Sequence, residues 1–346
     1  LSKSAKFEAM ITRAWMRRGV IACLLYPLSL VMAGVVRLRQ CLYALGLKKT
    51  TYLPVPVIVV GNVFVGGTGK TPLTMHLVEV LRAAGYHPGV VSRGYGRQSE
   101  ALVAVSAQSS PTEVGDEPLL IAKRAACPVY VGRQRVAAAC ALLAQHPEVD
   151  VIISDDGLQH YALGRQIDIV LSDLRGNGNG WLLPAGPLRE FADRARDFNV
   201  VNVGTSPTTV PLLPTSAPTF AMALETGFAE QLCDRQQRRA LSAFDPHLSI
   251  AALAGIGSPA RFFASLAESG LRVASYPLPD HYDFQENPFQ QIAADIFLIT
   301  EKDAVKCAMI DAIKQDPRIW VVPVSARIDS LFTQLIVEKL REFQIT

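Results

Sequence analysis

After residue 49 the hydrophobic positions form short continuous runs that alternate with stretches of helical spacing. Residues 55–60 predict a strand, and residues 70–84 a helix with Leu73, Leu77, Val80 and Leu81 on one face, stopped by Gly85. Residues 89–92, 150–154 and 167–172 predict further strands. The last two are nearly unbroken apolar runs, the pattern of a parallel sheet covered on both faces. Between residues 177 and 218 Gly, Pro, Ser and Thr dominate, and the linker is placed at 205–218. The alternation then resumes with strands at 250–254, 296–300 and 319–324, a helix opening at Pro259, a helix over 303–313 and a last amphipathic helix to Phe343. Alternation in both halves predicts two α/β domains with a cleft between them.

The first 49 residues differ. Residues 19–36 (GVIACLLYPLSLVMAGVV) carry no charge and are near the lower length limit of a membrane span. Arg13, Arg17 and Arg18 precede them and Arg37, Arg39, Lys48 and Lys49 follow, so flanking charge sets no orientation. Pro27 and Gly34 weaken a straight helix, and no small-residue cleavage site marks a secretory signal. The segment reads first as an anchor lying in the membrane interface, its Arg and Lys meeting anionic headgroups; a true span and a buried core helix are the alternatives. A mean hydropathy of +0.22 with only 19% charged residues fits a membrane setting. With 34 basic against 31 acidic residues, no polyelectrolyte partner is implied, and no nucleic acid is expected. Six cysteines include no CxxC pair, so reduced thiols in a cytoplasmic protein are expected rather than a disulfide framework or zinc site.

Chemistry enters at residues 57–72, VIVVGNVFVGGTGKTP, where a buried strand runs into a glycine-rich turn and then Lys-Thr at a helix start. Gly66, Gly67, Thr68 and Gly69 form a loop whose backbone amides face one centre, a seat for phosphate oxygens at the positive end of a helix. Lys70 is placed to reach the outer phosphates, the Thr71 hydroxyl to ligate Mg²⁺, and Pro72 suits the first helical turn. The standard spacing asks for glycine where Phe64 stands. A phosphate loop also needs a carboxylate at the end of a neighbouring strand, and VDVIISDD (149–156) supplies Asp155 and Asp156. They divide the work between metal and substrate; a helix N-cap pair is the plainer alternative, and Asp173 of IDIVLSD is a competitor.

The blocks GNVFVGGTGKTP, VVSRGYG (90–96), VGDEPLL (114–120), DDGLQH (155–160), GNGWLLPAGPLRE (178–190), ALAGIGSPARFF (252–263), PDHYDF (279–284) and TEKDAVK (300–306) resemble, in the same order, the signature blocks of the lipid A 4'-kinase (tetraacyldisaccharide 4'-kinase) family. The resemblance covers roughly residues 10–310. It implies a P-loop kinase-like parallel-sheet domain plus a second, smaller α/β domain, with an N-terminal membrane-associated helix. The expected division is 1–48 for that helical segment, 49–210 for the nucleotide-binding domain and 211–346 for the C-terminal domain. It also implies transfer of the γ-phosphoryl of ATP, with Mg²⁺, to the 4'-hydroxyl of a tetraacylated glucosamine disaccharide 1-phosphate at the cytoplasmic face of the bacterial inner membrane. By motif, Asp116 matches the family's catalytic base and His281 its partner. A carboxylate that takes the proton of a weakly nucleophilic hydroxyl, oriented by an imidazole, is sensible chemistry. Without the resemblance, Asp116 reads as a helix N-cap and His281 as a loop histidine. Glu117 is placed near the metal, with Gln159 and His160 near metal or acceptor. Arg93, Arg189 and Glu190 are placed at sugar or phosphate groups, since an Arg fork suits phosphate; a structural salt bridge is the alternative for Arg93. Because Asp116 and His281 lie on opposite sides of the linker, domain closure is expected. Phe191 and Tyr282 depart from residues frequent in the family at those positions.

Two other readings compete. A P-loop GTPase switch or metallochaperone selects guanine through a motif like Thr300-Glu301-Lys302-Asp303, but here the lysine is displaced by one residue. A membrane-bound partition-type ATPase gives no reason for DDGLQH and PDHYDF to occur together.

Overall fold

The computed structural model describes residues 10–205 and 215–344, so most of the expected linker lies outside the described residues. A long helix, α1 (Val20–Ala44), leads to β1 (Val57–Gly61), α2 (Lys70–Ala83), β2 (Pro88–Ser92), β3 (Val103–Val105), α3 (Asp116–Ala125) and β4 (Val129–Val131). Then come α4 (Arg135–Gln145), β5 (Val151–Asp155), β6 (Ile167–Asp173), β7 (Phe198–Gly204) and β8 (Thr219–Glu225). Next are β9 (Phe228–Gln231), β10 (Arg238–Ala240), β11 (Ile250–Ala254), α5 (Pro259–Glu268) and β12 (Ala274–Pro277). The chain closes with β13 (Ile296–Thr300), α6 (Glu301–Cys307), β14 (Ile319–Val322), β15 (Ser325–Ile328) and α7 (Ser330–Gln344).

Nine strands form the larger sheet, in the order β15-β8-β7-β6-β1-β5-β2-β4-β3. It is parallel except at its two antiparallel edges, β3 and β15. Period-two alternation sends Ile58 and Val60 of β1 into one core with Leu73, Leu77 and Leu119, and Val57 and Val59 into another with Leu142 and Ile152. Helices covering both faces explain why this strand is apolar throughout. The smaller sheet has the order β10-β9-β14-β13-β11-β12 and is likewise covered on both faces. The fold is α/β, as expected, with two sheets.

The sheets do not divide the chain at residues 210/211. Strand β8 pairs with β7, β15 pairs with β8, and α7 sends Phe332, Ile336 and Leu340 into the core that holds Phe198 and Phe220. The chain enters the Pro- and Thr-rich stretch from β7 and leaves it into β8, two adjacent parallel strands of one sheet. The chain crosses between sheets twice, side by side, after Glu225 and before Ser325, which face each other in the β8–β15 ladder.

Helix α1 docks along the larger unit. The Ser29 hydroxyl donates to the Leu182 carbonyl at 2.7 Å and accepts from the Ala185 amide at 2.9 Å. The Tyr26 ring lies 4.3 Å from that of Trp181. Buried Ala22, Ser29 and Val36 mark one stripe at seven-residue intervals, while Val20, Leu24, Leu28, Val31, Val35 and Leu38 are each more than half exposed. The helix is long and apolar enough to cross a membrane, yet only one stripe is buried, so it is not a core helix. All six cysteines are unpaired; four are exposed.

Candidate active site

Strands β6, β1 and β5 are neighbours, and their C-terminal ends carry Asp173, the loop at residues 62–69 and Asp155. This is the edge at which open α/β sheets bind ligands. The loop takes the shape expected of a phosphate cradle. Gly66 (φ +109°) and Gly69 (φ +101°) adopt backbone angles that side chains disfavour. Among the described residues, the amides of Gly66, Gly67, Thr68 and Gly69 donate no hydrogen bond. Two asparagines hold the loop open: Asn62 Nδ2 donates to the Gly66 carbonyl at 3.1 Å, and Asn202 Nδ2 to the Thr68 carbonyl at 2.8 Å. Asn62 lies inside the motif, whereas Asn202 comes from β7, outside every motif block. Phe64, where glycine is usual, is buried and carries the Arg175 guanidinium on its ring at 4.4 Å.

Lys70 reaches Asn62 Oδ1 at 3.3 Å and Asp156 at 3.7 Å. Asp156 stands in the left-handed region (φ +50°), so its side chain leaves β5 in a direction different from that of Asp155. Burial works against its charge, but Lys70 and then Arg189, at 3.1 Å, outweigh it and lower the pKa. Asp155 is 1% exposed and accepts from the hydroxyls of Thr74 at 3.2 Å and Ser92 at 3.4 Å. Burial first, and the nearby Glu117 charge second, push its pKa up to about 7. The Lys70 and Arg135 charges oppose this shift without cancelling it. Among the described residues no cluster of three or more His, Cys, Asp or Glu has metal-cage geometry. A nucleotide-site Mg²⁺ needs only one or two carboxylates beside phosphates and water, and Thr71, Asp155 and Glu117 fit that donor set.

A second group assembles across the two sheets. The RGYG turn packs against the start of α3: a Cβ on Gly94 would stand 2.5 Å from the Val114 carbonyl, so glycine is required there. This contact seats Asp116, which is 7% exposed. His281, at φ +59°, brings Nδ1 to 3.0 Å from Asp116 Oδ2, and Lys306 Nζ lies 3.4 Å from the same oxygen. Burial raises the Asp116 pKa, but the His281 hydrogen bond and the Lys306, His281 and Lys302 charges outweigh it, leaving the pKa lowered. The pair is already in contact in this structure, because the smaller sheet's loops reach α3. Lys302 bridges Glu117 at 3.4 Å and Asp280 at 3.4 Å, and its Nζ lies 3.5 Å from His281 Nε2. Asp303 is fully buried against the Thr300 hydroxyl at 2.7 Å and the Gly255 amide at 3.0 Å. The Thr300–Asp303 segment is thus occupied internally and does not present a guanine-reading edge.

Beside Asp156 opens a cleft of about 910 Å³, lined among others by Arg39, Arg93, Arg135, Gln159, His160 and Arg189. The Arg135 amide donates to His160 Nε2 at 3.3 Å. Burial first, then the neighbouring Arg135 charge, pushes the His160 pKa down to about 4. Gln159 Nε2 is buried and has no hydrogen-bond partner among the described residues. Glu190 does not join this group. It is 2% exposed, bound to Arg194 at 2.6 Å and the Tyr161 hydroxyl at 2.7 Å, so its carboxylate is consumed in an internal network.

Comparison with known proteins agrees with this architecture. A curated protein of Janthinobacterium sp. (strain Marseille) named tetraacyldisaccharide 4'-kinase is 56% identical over 342 residues, 97% of each chain. One of the same name from Herminiimonas arsenicoxydans is 54% identical, over 98% of this chain and 97% of that protein. A crystal structure of LpxK from Aquifex aeolicus in complex with ATP superimposes with a TM-score of 0.75 at 28% identity, covering 93% of this chain and 100% of that one. The profile of the tetraacyldisaccharide-1-P 4'-kinase family, LpxK, matches residues 21–341, and the chain belongs to that family.

Proposed function

We propose that the chain is an ATP-dependent kinase of lipid A biosynthesis that phosphorylates the 4'-hydroxyl of tetraacyldisaccharide 1-phosphate, with these residues in stated roles. The observation that carries the reading is the Asp116–His281–Lys306 cluster, built by two sheets beside a phosphate loop. ATP lies with its phosphates on Gly66, Gly67, Thr68 and Gly69, and Lys70 draws the outer phosphates forward. When bound, Mg²⁺ would supply positive charge at the phosphates, and Thr71 and Asp155, with Glu117 alongside, are the residues that would hold it. Arg93, Gln159, His160 and Arg189 receive the sugar and its 1-phosphate in the cleft. Asp116 accepts the hydroxyl proton as the acceptor oxygen attacks in line, and His281 orients the carboxylate. Phosphoryl transfer leans on position and charge more than on a strong base, which suits a carboxylate held at low pKa.

The two sheets belong to two domains, and the paired crossings after Glu225 and before Ser325 serve as their hinge. Docking of α1 along one stripe supports a helix that lies in the cytoplasmic leaflet of the inner membrane and leaves its other faces to lipid. The acyl chains of the acceptor then stay in the bilayer, avoiding an extraction cost of about 0.8 kcal/mol per CH₂. Arg39 places the polar end of this helix at the cleft that receives the headgroup. Asp116→Asn tests the base: turnover should fall by about 10²–10⁴-fold while ATP affinity, measured separately, stays near wild type. Near-normal turnover would remove the assignment.

A further inference from the structure

Two guanidinium groups converge on the phosphate loop, and one carboxylate holds both. Asp173, 2% exposed at the end of β6, takes Arg175 Nη2 and Arg261 Nη2, each at 2.7 Å. Arg175 is fixed: its backbone amide and Nε also bind Asp173, at 2.9 and 3.0 Å, and its Nη2 stands 3.5 Å from the Gly67 carbonyl. Arg261 comes from the other sheet's side, in the first turn of α5, and places Nη1 at 3.4 Å from the same carbonyl. It is held less tightly, and its side chain is 40% exposed against 26% for Arg175. The backbone ahead of it is also close, since a Cβ on Gly257 would stand 3.7 Å from the Gly67 amide nitrogen.

A salt bridge between sheets explains the Asp173–Arg261 bond alone. It does not explain why two cations share one anion at the mouth of a loop whose four amides, among the described residues, donate no hydrogen bond. That excess positive charge matches a phosphate, and an Arg fork is the group that meets phosphate oxygens bidentately.

We infer that Arg261 contacts the terminal phosphate of ATP, exchanging the Asp173 carboxylate for it and so supplying a cation from the smaller sheet's side to the group being transferred. This rests on the reading of residues 66–71 as the ATP site. In the transfer, the bond from the γ-phosphorus to its bridging oxygen breaks as the bond to the acceptor oxygen forms. ADP leaves with the electron pair, and the acceptor proton passes to Asp116. Arg261 offsets charge on the three peripheral oxygens and emerges unchanged. ADP has no phosphate at that position, so the contact distinguishes the two nucleotides.

The test is calorimetric binding of a non-hydrolysable ATP analogue and of ADP to the full chain, its Arg261→Ala, Arg261→Lys and Lys70→Ala variants. Arg261→Ala should weaken the ATP analogue by about 10–100-fold and leave ADP unchanged. Its kcat should fall by about 10³-fold, with Arg261→Lys recovering part of both. Equal weakening of both nucleotides, or no change in either, would overturn the assignment of Arg261 while leaving the phosphate loop in place. Failure of the unaltered chain to bind the ATP analogue, or undiminished binding by Lys70→Ala, would remove the ATP site and this inference with it.

Discussion

At the scale of single residues, Asp116 sits under opposed influences. Burial raises its pKa, but His281, Lys306 and Lys302 together hold it below the usual carboxylate range. The acid limb of kcat/KM that it contributes should therefore lie below the ordinary aspartate range. His281→Gln or Lys306→Met removes a group that lowers the pKa, so the limb should move to higher pH. A pH profile with an unmoved limb would assign it to another group. His160 gives a second pH-dependent effect with the opposite chemistry. Its folded pKa is about 4, against about 6.5 in the unfolded chain. Between those values the unfolded chain binds more protons, so stability should fall as pH drops from about 6.5 to about 4 and level off below. His160→Gln should flatten that part of the slope, read by urea unfolding at several pH values. Lys70 and Thr71 can be placed from the sequence because a strand, a glycine turn and a helix start lie next to one another, and Asp155 because it ends a nearly unbroken apolar run. Lys306, Asn202 and Arg261 cannot, because each acts on a residue more than 80 positions away. Glu190 is turned inward by Arg194 and Tyr161, which lie outside the motif that ends at Glu190.

At the scale of elements, continuous apolar runs were read to within about two residues: β1, β5, β6, β11 and β13 are buried between two layers, and solvent leaves no polar mark on them. The interior strand β7 (FNVVNVG) was missed because its two asparagines and its Gly- and Pro-rich neighbours resemble a loop. Asn202 is there to hold the phosphate loop, and Asn199 binds the start of β8. The helix expected over 303–313 breaks into Glu301–Cys307 and Asp311–Lys314. Helix α1 was legible as an apolar segment, but its docking depends on Trp181, Leu182 and Ala185 far along the chain. Its outward residues allow a direct check. Leu24→Glu with Val31→Glu should reduce recovery on anionic vesicles and turnover of the lipid acceptor. ATP binding in solution should be unaffected. Unaltered vesicle recovery would place the membrane contact elsewhere.

At the scale of the whole molecule, the site exists only because two sheets meet. The phosphate loop, Asp155 and the cleft come from the larger sheet, while His281, Lys306 and Arg261 come from elements of the smaller. The chain passes out and back through adjacent strands, so the smaller unit is an insertion between β8 and β15. An insertion tethered by two adjacent antiparallel strands suits the proposed hinge, for a site that must admit a nucleotide and a lipid headgroup and then exclude water. Sequence composition reported neither the insertion nor the return of α7 to the first core, because both are settled by long-range strand pairing. The family assignment and the cross-sheet cluster converge on one reaction, and one incubation tests it. With γ-labelled ATP, Mg²⁺ and tetraacyldisaccharide 1-phosphate, label should appear on the 4'-hydroxyl and be lost with Lys70→Ala. Label released as inorganic phosphate without an acceptor, or fixed on a different hydroxyl, would contradict the account.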